Sequence, residues 1–122
     1  MTSVLDASAL LAFVEGESGA DTVESLLDAG AHCSTVNWSE VAQKVRAAGG
    51  DWRVAAALLS SYGLWVEHAT IEDGERAAEL WQRGAGVSLA DRFCLALGER
   101  LATTVWTADT AWGSSDAVRQ IR

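Results

Sequence analysis

Four acidic residues stand at positions where their side chains could act together on a phosphate ester. They are Asp6, Glu40, Asp91 and Asp109. Each falls within the first turn of a predicted helix or just before one, and three of them follow directly on a predicted strand. Because the carboxyl ends of parallel strands meet at one edge of a sheet, Asp6, Glu40 and Asp109 are neighbours if the first strand lies between the other two. Asp91 joins them if its helix begins at that edge.

A cluster of carboxylates requires a cation or a proton. Two unit charges about 5 Å apart repel by roughly 3 kcal/mol at an effective dielectric constant of about 20. Four such charges would offset much of a typical folding stability of about 5–15 kcal/mol. Mg²⁺ and Mn²⁺ prefer carboxylate and water oxygens as ligands, and such a site activates a water and stabilises charge on phosphoryl oxygens. We therefore expect the four acids to hold Mg²⁺ or Mn²⁺.

The same acids also suit helix capping. The run Ser88-Leu89-Ala90-Asp91 fits the capping box, and Asn37-Trp38-Ser39-Glu40 is similar to it. Asp6 and Asp109 are suitable N-caps. Taken singly, each acid is more often a cap than a ligand, so the case for a metal site depends on the four acting together.

The elements that must position these acids alternate between strand and helix patterns. We predict strands ending at residue 5 and over 32–36, 64–69 and 103–107, a small edge strand at 118–121, a helical turn at 110–112, and helices over 7–14, 20–29, 37–48, 51–62, 70–83 and 88–101. Such alternation is typical of a parallel sheet covered by helices. The predicted fold class is therefore α/β, a three-layer α/β/α sandwich around a central, mainly parallel sheet of four to five strands. Residues 1–122 form a single domain.

Composition limits the ways in which this chain can meet a substrate or a partner. The net charge of −8 argues against binding nucleic acid through a broadly basic surface. No stretch approaches the roughly 20 apolar residues of a membrane span, and the N-terminus lacks the pattern of a signal peptide. We therefore expect a cytoplasmic protein without a membrane partner. Cys33 and Cys94 are expected to be buried thiols rather than disulfide or metal ligands.

Four short motifs, in order, resemble those of the PIN-domain ribonucleases. They are Val4 to Ala12 around Asp6, Asn37 to Glu40, Leu89-Ala90-Asp91 before an apolar helix, and Thr107-Ala108-Asp109-Thr110-Ala111-Trp112. The resemblance covers nearly the whole chain, and the short single-domain form is similar to the VapC toxins of type II toxin–antitoxin pairs. Each motif is weak alone, but four in register are fairly specific.

The resemblance implies a metal-dependent endoribonuclease, usually dimeric, that a cognate VapB-like antitoxin silences by covering the acidic pocket. Asp6, Glu40, Asp91 and Asp109 would be the catalytic and metal-binding acids. Ser8 and Thr107 would support them as nearby hydroxyls. One departure concerns the second acid that family members often carry two positions after Asp109, because this chain has Ala111 there. A second metal ion is therefore left open.

Two other functions stay open. One is a catalytically silent PIN-like binding module, and the other is a metal-dependent phosphatase with Asp6 as nucleophile. The phosphatase pattern has a second Asp two residues later, where this chain has Ser8. We expect four tryptophans to pack in the core rather than stack on RNA bases, namely Trp38, Trp65, Trp81 and Trp106.

Overall fold

Five short parallel strands form one central sheet in a computed structural model that describes residues 2–122. The strand order is β3-β2-β1-β4-β5, and the strands are β1 Ser3–Leu5, β2 Ala31–Ser34, β3 Trp65–Glu67, β4 Val105–Thr107 and β5 Val118–Gln120. In the middle, Val4 of β1 is in register with His32 of β2 on one side and with Val105 of β4 on the other. The first strand therefore lies between β2 and β4, which is the order that brings Asp6, Glu40 and Asp109 to one edge.

Helices cover both faces of this sheet. They are α1 Ala7–Val14, α2 Ala20–Ala29, α3 Thr35–Ala47, α4 Trp52–Ser61, α5 Ile71–Glu79 and α6 Leu89–Arg100, with a 3₁₀ turn at Thr110–Trp112. Val4 and Leu5 point to opposite faces, as successive strand residues do. Val4 packs in a cluster with Cys94 and Leu97 of α6, whereas Leu5 belongs to the larger cluster with α1 to α4. The predicted three-layer α/β/α class, with a mainly parallel sheet, is confirmed.

Helix α6 lies very close to the sheet. A Cβ atom placed on Gly98 would come within 2.5 Å of the Val105 side chain on β4, so only glycine permits this approach. The N-terminal half of the same helix contacts β1 through Val4 and Cys94. The position of α6, and hence of Asp91 in its first turn, is therefore fixed by packing along its length.

Several predicted boundaries differ from the structure. Strand β2 ends at Ser34 rather than at residue 36, because the Ser34 hydroxyl accepts a hydrogen bond from the Val36 amide and caps α3. Helix α3 therefore begins at Thr35, two residues before the predicted start. Among the described residues, no helix is long and apolar enough to cross a bilayer.

The expected burial of two tryptophans is wrong. Trp65 is 66% exposed and Trp81 is 54% exposed. Trp65 lies on β3, which is the outermost strand of the sheet, so its side chain has no neighbouring strand on one side. Trp38 is half-buried and packs edge-to-face on Trp52, and Trp106 is also half-buried against the main core cluster.

Two ion pairs join α5 to α6 and differ in burial. Arg100 donates to both carboxylate oxygens of Asp73, at 2.9 and 3.1 Å, and the Asp73 side chain is only 5% exposed. Arg76 binds Glu99 at 2.6 Å, but both of those side chains are more than 40% exposed. Burial alone would raise the pKa of Asp73, yet the hydrogen bonds from Arg100 and Thr70 and the charge of Arg100 hold it below its usual value.

We expect Arg100→Ala to lower the free energy of unfolding by about 2 kcal/mol at neutral pH, because it leaves the Asp73 carboxylate buried without its partner. A group with a lowered pKa adds stability above its unfolded value and loses it as the pH falls. The loss should therefore shrink on acidification below about pH 4, which urea unfolding at several pH values would measure. Arg76→Ala is the matched control and should change stability by less than about 1 kcal/mol. Equal losses in the two variants would contradict this difference.

Candidate active site

Asp6 lies directly after the central strand and caps the helix that follows. Its backbone is extended, and its Oδ1 accepts a hydrogen bond from the Ala9 amide at 2.8 Å. Only 3% of the residue is exposed. The change from strand to helix at this point therefore holds the carboxylate at the carboxyl edge of the sheet, between the ends of β2 and β4.

Two hydroxyl groups surround Asp6 and connect it to the end of β4. The Thr107 hydroxyl donates to Asp6 Oδ2 at 2.5 Å, and the Ser8 hydroxyl lies 2.8 and 2.9 Å from Oδ1 and Oδ2. Each hydroxyl also accepts from a backbone amide, Ser8 from Ala108 and Thr107 from Asp109. Each hydroxyl has one proton, which it donates in a hydrogen bond to Asp6. Because each hydroxyl also accepts from a backbone N–H, that N–H polarises it and strengthens its hydrogen bond to this carboxylate.

These contacts oppose the effect of burial on the charge of Asp6. The pKa of Asp6 is raised to about 6: burial raises it most, the hydrogen bonds from Thr107, Ala9 and Ser8 lower it, and the charge of Asp91 raises it. Asp6 is therefore mostly ionised at neutral pH, although its surroundings disfavour the charge. An opposite charge placed beside Asp6 would be stabilised strongly.

Asp91 occupies the third position of α6, where it completes a capping box. Its Oδ2 accepts from the Ser88 amide at 2.9 Å, and its own amide donates to the Ser88 hydroxyl at 3.1 Å. The charge of Asp91 acts on Asp6, and Ala90, next to Asp91, accepts a hydrogen bond from α3. The start of α6 therefore lies at the same edge of the sheet as Asp6.

Glu40 lies in the second turn of α3, not in its first turn as predicted, because the helix begins at Thr35. Its Oε2 forms an ion pair with Lys44, one turn further along, at 2.9 Å. The pKa of Cys94 is raised well above its usual value, mainly by burial. The smaller causes are the charges of Asp6, Cys33, Asp91 and Glu40. The charges of Asp6, Asp91 and Glu40 therefore all act on one buried thiol of α6.

Asp109 caps the 3₁₀ turn that follows β4, and its Oδ1 accepts from the Ala111 amide at 2.9 Å. Its link to Asp6 is indirect, because the Asp109 amide donates to Thr107, whose hydroxyl donates to Asp6. Gln120 on β5 holds the turn from the other side, by donating to the carbonyls of Asp109 and Gly113 at 2.9 and 2.8 Å. The turn is thus fixed, and its carboxylate is half-buried.

The structure brings the four acids to one edge but does not arrange their oxygens as a metal site. Within residues 2–122, no three acidic, histidine or cysteine side chains are grouped so that they could hold an ion. Asp6, Asp91 and Asp109 each accept a hydrogen bond from a backbone amide near the start of their own helix or turn, and Glu40 pairs with Lys44. The capping that the sequence patterns predicted for Asp6, Asp91 and Asp109 is therefore present.

The side chains at this edge nevertheless suit a hard divalent cation. They offer carboxylate, hydroxyl and amide oxygens, which Mg²⁺ and Mn²⁺ prefer over sulfur. The nearby thiol of Cys94 is fully buried with a raised pKa, so it stays protonated. Capping engages Oδ2 of Asp91 and Oδ1 of Asp109, so the second oxygen of each carboxylate takes no part in the cap.

Two residues that help to build this site have no role of their own among the predictions from sequence. Asn37, with no exposed surface, donates from Nδ2 to the Ala90 carbonyl at 3.2 Å. Its spacing of three from Glu40 resembles a capping box, and in the helix the same spacing places both residues on one side of α3. Gln120 is the second, and no pattern in the sequence points to it.

Comparison with known proteins identifies the family. The model of the PIN domain matches residues 3–116. A toxin–antitoxin complex from Klebsiella pneumoniae has a chain with a TM-score of 0.76 at 19% identity, over 99% of this chain and 98% of that one. Mycobacterium tuberculosis VapC20, a toxin that cleaves the sarcin–ricin loop, gives 0.75 at 20% identity, over 94% and 98%.

A third similar structure is PAE2754 from Pyrobaculum aerophilum, with a TM-score of 0.64 at 16% identity, over 99% of this chain and 84% of that one. No curated protein sequence matches this chain. At these identities the three structures establish the fold, while the family model extends over nearly all of the sequence. The chain belongs to the PIN domain family.

Proposed function

We propose that this protein is a metal-dependent endoribonuclease that acts as the toxin of a toxin–antitoxin pair in the cytoplasm. The observation that carries the proposal is the buried carboxylate of Asp6, held ionised at the edge of a PIN-domain sheet with the charge of Asp91 acting on it. A buried acid kept charged against its surroundings is typical of a functional site.

In this proposal Asp6, Glu40, Asp91 and Asp109 hold Mg²⁺ or Mn²⁺. When bound, such an ion would supply Lewis acidity toward the RNA phosphodiester and make water a stronger nucleophile at neutral pH. The hydroxyls of Thr107 and Ser8 orient Asp6 and favour its ionised form. The positive charge of the bound ion would also offset, at the pocket, the repulsion between RNA and a chain of net charge −8.

The partners are proposed from the likeness to known structures. One similar structure is a toxin–antitoxin complex and another is a toxin that cleaves the sarcin–ricin loop. We propose a VapB-like antitoxin that silences the enzyme, and a homodimer as the form of the toxin.

Incubation of the purified protein with total RNA tests the proposal. Cleavage is expected with Mn²⁺ or Mg²⁺, lost on adding EDTA and restored by excess Mn²⁺, because the carboxylates alone cannot neutralise the developing phosphoryl charge. Expression of the chain should arrest growth, and co-expression of the neighbouring reading frame should relieve the arrest. Cleavage that persists in EDTA would contradict the metal requirement.

A catalytically silent PIN module is the second candidate. It is favoured by the absence, among residues 2–122, of a preformed group of three metal-binding side chains. A silent module whose acids are only caps should bind no Mn²⁺ at millimolar concentration in calorimetry and should leave RNA intact. Saturable Mn²⁺ binding together with RNA cleavage would exclude it.

A further inference from the structure

Asn37 connects the two helices that carry Glu40 and Asp91. It is the third residue of α3, it is fully buried, and its Nδ2 donates to the Ala90 carbonyl, directly before Asp91. Glu40 follows it by one turn on the same helix. The amide of Asn37 is therefore a direct polar link between the positions of these two acids.

The other end of the same amide is unusual. Asn37 Oδ1 is buried and accepts no hydrogen bond from any group among the described residues. The orientation of the amide is fixed, because only the NH₂ end can face the Ala90 carbonyl. Buried polar atoms are normally paired. A purely structural link would need only Nδ2, so the unpaired Oδ1 points to a donor that does not belong to the chain.

The other side-chain hydrogen bonds of the first turn of α6 do not join it to α3. Arg92 donates to the Ala77 carbonyl at 2.8 Å and so holds this turn against α5. The capping box of Ser88 and Asp91 is internal to the turn. Among the described residues, Asn37 therefore supplies the hydrogen bond that links this turn to the helix of Glu40, and its loss would leave the spacing between these two acids to apolar packing alone.

We propose that Asn37 is a positioning residue of the acidic pocket. Its Nδ2 fixes the first turn of α6 relative to α3, and its Oδ1 accepts a hydrogen bond from water held among the carboxylates when a divalent ion is bound. The proposal rests on the proposed function, because it assumes that these carboxylates take up an ion. Residues that orient ligands in this way change metal affinity about 10- to 100-fold when they are replaced.

Calorimetric titration of the whole protein with Mn²⁺ tests the role. Asn37→Ala should weaken the affinity for Mn²⁺ about tenfold or more relative to the unaltered chain. Thr35→Ala is the matched control, because it removes a hydrogen bond from the same helix to the Glu67 carbonyl, on the side of β3. That variant should bind Mn²⁺ within about twofold of the original affinity.

Asn37→Leu separates positioning from a merely structural role. Leucine has the same number and branching of side-chain atoms, and it removes the unpaired Oδ1 together with the Nδ2 bond, so thermal unfolding without metal should change little. Its Mn²⁺ affinity should nevertheless fall as in Asn37→Ala. Unchanged Mn²⁺ affinity in both variants would overturn the inference and leave the proposed function intact. No Mn²⁺ binding by the unaltered chain would overturn both.

Discussion

Asp6→Asn is expected to abolish RNA cleavage and at the same time to make the metal-free protein more stable at neutral pH. The loss of activity should reach about a thousandfold, because a charged ligand at the centre of the pocket is removed and electrostatic terms of several kcal/mol go with it. The gain in stability follows from burial, which raises the pKa of Asp6 to about 6 and disfavours its ionised form. Asparagine caps a helix as well as aspartate does, so α1 should be retained.

The pH range of this gain follows from the direction of the pKa shift. The pKa of Asp6 is raised from 3.8 to about 6 on folding, so between these values the folded state binds more protons than the unfolded state. Wild-type stability therefore falls as the pH rises through this range. The advantage of Asp6→Asn should be about 1–3 kcal/mol above pH 6 and should vanish below about pH 4. For a domain of this size it corresponds to about 4 °C of Tm for each kcal/mol.

Asp51→Asn is the matched control for both effects. Asp51 also caps a helix, accepting from the Arg53 and Val54 amides at the start of α4, but it is exposed. The same chemical change should leave both cleavage and Tm nearly unaltered there. Thermal unfolding without metal, followed from acidic to neutral pH, measures the stability difference. Equal stability of the Asp6→Asn variant and the original chain at neutral pH would contradict the destabilising effect of the buried Asp6 charge.

Local patterns predicted most of the scaffold of this site. The alternation of strands and helices gave the parallel sheet, and the Ser88 to Asp91 spacing gave the observed capping box. Sequence periodicity does not predict the strand order, in which β1 lies between β2 and β4. The acids meet at one edge only with this order. That order is common at the switch point of doubly wound sheets, but no local pattern in this sequence specifies it. In the structure, the charge of Asp91 acts on Asp6.

Where the structure differs from the predictions made from sequence, the causes are tertiary contacts. Val36 is β-branched and favours a strand, but the Ser34 cap starts α3 earlier and moves Glu40 into the second turn. Trp65 has the apolar character of a core residue, yet its strand lies at the edge of the sheet. The direction of each carboxylate depends on the charges around it, which a sequence does not specify. Amides at the starts of helices are favourable partners for such carboxylates.

Thr107→Val is expected to shift the pH dependence of cleavage toward higher pH. Thr107 has no exposed surface, and its hydroxyl donates to Asp6 Oδ2 at 2.5 Å. This hydrogen bond lowers the pKa of Asp6, and valine cannot replace it. A hydrogen bond to a charged group contributes about 1.5–3 kcal/mol, which corresponds to about one to two pKa units. The pKa of Asp6 should therefore rise further in this variant, so a smaller fraction of this carboxylate would be ionised at neutral pH.

The expected result is a rate about tenfold lower than wild type near pH 6 that recovers as the pH rises. Because protons compete with the ion for Asp6, the cleavage rate should be measured at a fixed, subsaturating Mn²⁺ concentration across the pH range. Thr107→Ser keeps the hydroxyl and is the matched control, so its profile should stay close to that of the original chain. A uniform loss of rate in Thr107→Val, with no shift along the pH axis, would mean that Thr107 acts through packing and not through the charge of Asp6. A shift of the pH profile in Thr107→Val, but not in Thr107→Ser, would show that the Thr107 hydroxyl keeps Asp6 ionised. The proposed chemistry depends on that ionised carboxylate.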